Sequence, residues 1–189
     1  DGGATDEIVG RPIAATEWSA DVLAGLDRFG VLLVGPGLGA DLDGTTLAEV
    51  ISAAPCPLLL DGDALTALGG SLGEVVADRS APTVLTPHEG EFAKLGGPSL
   101  DGDRIAAVVD VVARTGAVVL LKGQNTIVAA PGELPRVVIN GDQRLATAGS
   151  GGEMMREGYE ARILPAIEAF APDFLLVSAG FDADYRDPL

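Results

Sequence analysis

Short unbroken apolar runs alternate with amphipathic stretches through the middle of this chain. Val31-Leu32-Leu33-Val34 leads into Gly35-Pro36-Gly37-Leu38-Gly39, Pro57-Leu58-Leu59-Leu60 into Asp61, Pro82-Thr83-Val84-Leu85 into Thr86-Pro87-His88, and Ala117 to Leu121 into Lys122-Gly123. A strand wetted on one face alternates apolar and polar residues, so runs without alternation predict strands buried on both faces. Between them, helices are predicted over 46–53 and 105–114; in the second, Ile105, Val108, Val109 and Val112 form one stripe, which Gly116 stops. A short helix is predicted near 19–26. Two β-rich runs, Thr126 to Ala129 and Arg136 to Ile139, flank the turn Pro131-Gly132 and predict a hairpin. Beyond Gly152, Tyr159, Ile163, Ile167 and Phe170 recur at helical spacing. Pro165 is expected to kink or divide that helix, and Phe174-Leu175-Leu176-Val177 reads as one more buried strand.

Apolar strands alternating with helices predict an α/β fold: a parallel, doubly wound sheet with helices on both faces. Ligands of such sheets gather at the carboxyl ends of the strands, where Gly and polar clusters stand four times here.

Composition narrows the chemistry. With 189 residues, 47% of them apolar, the chain can bury one real core. Its formal charge of −16 repels nucleic acid and anionic lipid, so an anionic ligand has to be held by local backbone donors. No apolar run approaches the roughly 20 residues that span a bilayer, and the start lacks a signal-peptide layout, which together predict a cytoplasmic protein. Cys56 is the single cysteine, expected to be a small buried apolar residue, and the single histidine, His88, excludes a site built from two imidazoles.

Lys122-Gly123 at a strand end and Gly149-Ser150-Gly151 before a helix offer bare backbone N–H groups where an anion can dock. The plain alternative is that these glycines only turn the chain. Asp61 and Asp63 could hold magnesium or cap the next helix, with capping favoured for Asp63.

Five motifs stand in one order and spacing: Gly35 to Gly39, Leu60-Asp61-Gly62-Asp63-Ala64-Leu65, Thr86-Pro87-His88-Glu89-Gly90-Glu91-Phe92, Leu120-Leu121-Lys122-Gly123-Gln124-Asn125-Thr126 and Ala146-Thr147-Ala148-Gly149-Ser150-Gly151. Over about residues 30–151 the chain resembles the ADP- or ATP-dependent NAD(P)H-hydrate dehydratases. The resemblance implies a ribokinase-like fold and a lyase that removes water from hydrated NADH or NADPH (NADHX, NADPHX), driven by nucleotide hydrolysis. It implies ADP or ATP as cofactor, with Mg2+ a candidate companion, held by Lys122, Gly123, Gln124, Asn125, Thr126 and Gly151, and it places Gly37 and His88 against the hydrated nicotinamide. Family segments expected before residue 30 and after 151 are not recognisable, so the domain is expected to be truncated at both ends.

The family pattern continues with an aspartate where this chain has Gly152, which leaves no catalytic residue at that position. Residues 159–189 in turn resemble the stretch of histone-deacetylase-like zinc hydrolases that ends in their Gly-Phe-Asp-Ala-His motif. Asp182 matches a zinc ligand there, but the residue after Ala183 is Asp184, and a lone carboxylate does not make a zinc site. The two families meet at the shared Gly-Ser-Gly, as in a crossover between two genes. The sequence thus predicts a partial dehydratase domain over 1–151, with a deacetylase-like helix-strand tail over 152–189 packed on the same sheet. The rival readings are a non-catalytic nucleotide-binding or structural module and a zinc-hydrolase fragment.

Overall fold

A computed structural model describes residues 18–39, 41–139 and 159–171. The chain divides into two compact units, residues 1–138 and 139–189.

In the first unit, helix α1 (Trp18–Leu23) precedes strand β1 (Leu32–Val34), followed by α2 (Gly44–Ala53), β2 (Leu58–Leu60), α3 (Gly62–Leu68), α4 (Leu72–Ala77) and β3 (Thr83–Leu85). The short α5 (Glu89–Phe92), α6 (Arg104–Thr115), β4 (Val118–Leu121), β5 (Thr126–Ala129) and β6 (Arg136–Val138) complete it. The six strands form one sheet in chain order. Strands β1 to β4 run parallel and in register, Leu33 beside Leu59 and Leu59 beside Val84, while β5 and β6 are antiparallel, the predicted hairpin.

The α/β, largely parallel sheet agrees with the sequence expectation. Two details correct it. Only β2 is buried along its whole length; β1, β3, β4 and β5 alternate, and Leu33 is 48% exposed. Neighbouring parallel strands taken in chain order, each joined by a right-handed crossover, send every connecting helix to the same face. The packing agrees: α1 lies on α2, α2 on α3 and α4, and α4 on α6, so these five helices of the first unit make one layer and cover one face. Leu47, Ile51, Leu60, Leu65, Leu85, Phe92, Val108, Val111, Val119 and Leu121 fill the space between that layer and the sheet. The second correction concerns α6, whose buried face is Ala107, Val108, Val111, Val112 and Thr115, leaving Ile105 and Val109 outside. An apolar residue at almost every position lets either stripe satisfy the pattern, and contact with β4, β5 and α4 selects one.

Local signals explain the helix ends. Asp43 caps α2, its carboxylate accepting the N–H groups of Thr45 and Thr46 at 3.0 and 3.2 Å. Asp103 caps α6 through the Ala106 N–H at 3.0 Å, and Gly116 ends that helix at φ +67°. Arg79 ties the far end of α2 to the strands. Its guanidinium donates to the carbonyls of Ile51, Ala54 and Cys56 and to Thr83 Oγ1, and partial burial lowers its pKa. Cys56 is buried, as expected.

In the second unit, one turn of wide helix over Tyr159–Ile163 passes into α7 (Leu164–Phe170). Pro165 sits in the first turn of α7, where the wide helical turn changes to α-helix without a break in the helical run. The predicted strand at 174–177 lies outside the described residues.

Candidate functional site

Because β1 to β4 are parallel neighbours, the loops after them share one rim of the sheet. Backbone bonds lock each loop to the next. Asp61 donates its N–H to Val34 O (3.1 Å), Thr86 to Leu60 O (3.1 Å) and Lys122 to Pro87 O (2.8 Å).

The first two loops touch most closely. A Cβ on Gly35, at φ +143°, would lie 1.6 Å from the Asp61 carbonyl oxygen, so only glycine fits there. Gly37 faces open space, and its φ of +79° is what calls for glycine. It lines a cavity of about 670 Å³ together with Trp18, Leu32, Leu33, Leu38 and Asp43. His88 stands on the same rim two strands away and does not line that cavity.

Neither aspartate after β2 caps α3. Asp63 reaches back to accept the Gly39 N–H at 2.8 Å, which overturns the expected capping role. Asp61 stands at the capping position with no side-chain bond to the helix; its Oδ1 is 2.7 Å from Lys122 Nζ instead. The cation that the sequence offers to a phosphate is therefore already paired, with Glu91 Oε2 as a second partner at 3.9 Å. Neither carboxylate is recognisable from sequence as a partner of Lys122, since contacts between the ends of separate strands leave no local trace.

His88 caps α5. Nδ1 accepts the N–H groups of Gly90 (2.9 Å) and Glu91 (3.2 Å), while Glu91 Oε2 accepts the His88 N–H at 2.7 Å. The reciprocal pair is open to sequence reading, since a capping residue with Glu three positions later has the spacing of a capping box. The ring remains largely exposed, its side chain at 59%.

The loop from Lys122 to Asn125 joins β4 to β5. Gly123, Gln124 and Asn125 are exposed, and among the described residues no acceptor takes their N–H groups. Thr126 Oγ1 closes the loop on Gly123 O at 3.4 Å. Beside Gly123, Arg104 is paired with Glu89 at 2.7 Å. Exposed amides without a protein acceptor are open to an anion, and the neighbouring carboxylates oppose one that arrives without a cation. Among the described residues no group of three or more His, Cys, Asp or Glu could hold a metal ion. Gly151, Gly152 and Asp182 lie outside the described residues.

A mostly parallel α/β sheet with glycine-bearing loops on one rim has the architecture of the ribokinase-like proteins, and solved structures agree. A ribokinase-like superfamily protein from Enterococcus faecalis V583 matches with TM-score 0.56 at 26% identity, over 70% of this chain and 47% of its own. The ADP/ATP-dependent NAD(P)H-hydrate dehydratase of Bacillus subtilis, co-crystallized with ATP/Mg2+, matches with TM-score 0.52 at 29% identity, over 64% of this chain and 42% of its own. The family model for NAD(P)H-hydrate dehydratase matches residues 4–153, and the chain belongs to that family. The match begins well before Gly30, in a stretch whose sequence alone carries little signal. Two relatives, the bifunctional NAD(P)H-hydrate repair enzymes of Synechocystis sp. and Mycobacterium tuberculosis, are 44% and 43% identical over 128 residues, covering 67% and 68% of this chain. The chain spans about a quarter of the length of these curated relatives.

Proposed function

We propose that the rim binds an adenine nucleotide as its magnesium complex, in a domain whose chemistry is the dehydration of hydrated NADH or NADPH. The observation that carries this reading is the run of N–H groups at Gly123, Gln124 and Asn125, beside Lys122, that no acceptor among the described residues takes, in a chain of the dehydratase family. Lys122, Gly123, Gln124, Asn125, Thr126 and Gly151 hold the nucleotide, and Gly37 and His88 face the hydrated nicotinamide. Mg2+ is carried on the phosphates of the nucleotide. The bound nucleotide supplies a transferable phosphoryl group. The compartment proposed for this activity is the cytoplasm.

The test is thermal unfolding with MgADP or MgATP up to millimolar concentration. Nucleotide is expected to raise the melting temperature; a flat titration on folded protein overturns the reading.

Gly152 favours a second reading, a module that binds nucleotide without turning substrate over. Losing a general base typically costs about 10² to 10⁴ in rate. Gly152→Asp is expected to raise turnover of hydrated NADPH by about that factor under the first reading. No gain, with nucleotide still bound, decides for the module.

The tail over 152–189 we read as a deacetylase-like helix-strand segment joined to the dehydratase domain, supported by its Gly-Phe-Asp-Ala motif and by a family match that ends at residue 153. As a fragment it brings no zinc chemistry, and stoichiometric zinc in the purified protein would contradict that.

A further inference from the structure

Glu91 touches both halves of the proposed site. Its carboxylate is nearly buried, the side chain 9% exposed. Oε2 accepts the His88 N–H at 2.7 Å and lies 3.9 Å from Lys122 Nζ, while Oε1 lies 3.3 Å from His88 Nε2. Because His88 Nδ1 accepts two backbone N–H groups, the ring proton of this tautomer sits on Nε2, and that nitrogen is in close polar contact with Glu91 Oε1. Asp61, the other partner of Lys122, lies at 2.7 Å.

We propose that Glu91 is a positioning residue coupling the nucleotide loop at Lys122 to the substrate-facing His88, an inference that rests on the binding roles proposed above. A nearly buried carboxylate has to be balanced by donors and cations. Here that balance is shared between Lys122 on one side and the His88 imidazole and N–H on the other. A polyphosphate competes with Asp61 and Glu91 for the Lys122 ammonium. When Lys122 turns toward phosphate, Glu91 keeps only the His88 side, where it accepts the backbone N–H and lies against the ring, so occupancy at one loop is transmitted to the ring at the other. The coupling is reciprocal: a ligand resting on His88 changes nucleotide affinity by the same factor, about 5-fold or more for couplings of ordinary size.

His88 is the only histidine, so its ring nitrogens give one assignable set of NMR signals. The full chain is titrated with MgADP and, separately, with magnesium pyrophosphate, which has no base ring to shift His88 directly. In the wild-type protein, both ligands are expected to move the His88 ring signals together with the amides of Gly123 to Asn125. In Glu91→Gln, which replaces the charge by an amide, the loop amides should still move and the ring signals should not. Loop amides that move while the wild-type ring stays still overturn the coupling and leave the nucleotide reading intact, as does an equal ring response in Glu91→Gln. No response of loop or ring to either ligand overturns both. Should Glu91→Gln fail to fold, the wild-type pyrophosphate titration decides alone: concerted movement upholds the coupling and a silent ring rejects it.

Discussion

Single residues on the rim are constrained by backbone contacts more than by side-chain chemistry. Gly35 is the clearest case, since any Cβ there meets the Asp61 carbonyl and the backbone sits where L-residues rarely go. Gly35→Ala is expected to destabilise the fold by about 2–4 kcal/mol in chemical denaturation; a loss under about 0.5 kcal/mol, the scale of an ordinary surface change, would show that the two loops are not locked. Asp43 makes a pH prediction. The Thr46 hydroxyl, then the Thr45 and Thr46 N–H groups, hold its carboxyl below the usual carboxylate value. A carboxylate with a depressed folded pKa adds stability above its unfolded pKa, near 3.9, and that stability is lost as pH falls through the lower folded value. The melting temperature of Asp43→Asn should therefore approach that of the wild type as pH drops from 6 toward 3; a gap that stays constant contradicts the assignment. Much of this scale was legible in the sequence. The glycines of Gly35 to Gly39 and the stop at Gly116 are local signals, whereas the caps Asp43 and Asp103 came from the structure. The Asp61–Lys122 pair is not, because the two residues meet only after three strands are aligned.

At the scale of elements, the connections were easier to read than the faces. Helix α2 is short, and its last turn would leave carbonyls facing partly buried space. Arg79, arriving from the loop after α4, takes up the carbonyls of Ile51, Ala54 and Cys56 and braces Thr83 at the start of β3. Lysine cannot reproduce a planar fork with several donors. Arg79→Lys is expected to cost about 1–3 kcal/mol through unsatisfied carbonyls, measured as a drop in the denaturation midpoint with unchanged slope; an unchanged midpoint would show that water replaces the guanidinium freely. The sequence suggested strands buried on both faces because the runs in β1, β3 and β4 lack polar interruptions. Which face each residue meets is set by the side on which the crossovers pass, and strand order carries that information where hydropathy does not. The same holds for α6, where contacts rather than spacing choose Val111 over Ile105.

For the whole molecule, the proposed polyphosphate ligand has to bind against the chain's own field. A formal charge of −16 and the carboxylates of Asp61, Glu89 and Glu91 around the loop make free nucleotide a poorer ligand than its magnesium complex. At 100 times Kd, MgADP should stabilise the fold by about 2.7 kcal/mol, and ADP with excess EDTA by clearly less. Equal stabilisation by both would mean that the metal plays no part in binding. This global balance was legible from composition; its local form, a lysine already neutralised by Asp61, came from the fold.

The strands lie side by side in the order in which they are synthesised. Each new parallel strand joins one flank of those before it, so all four loops of the rim have emerged by Asn125. From that point the growing chain adds β5 and β6 beyond β4, away from β1. A ribosome can thus finish the proposed binding surface before reaching Gly152, and a gene can exchange its downstream codons while leaving that surface intact.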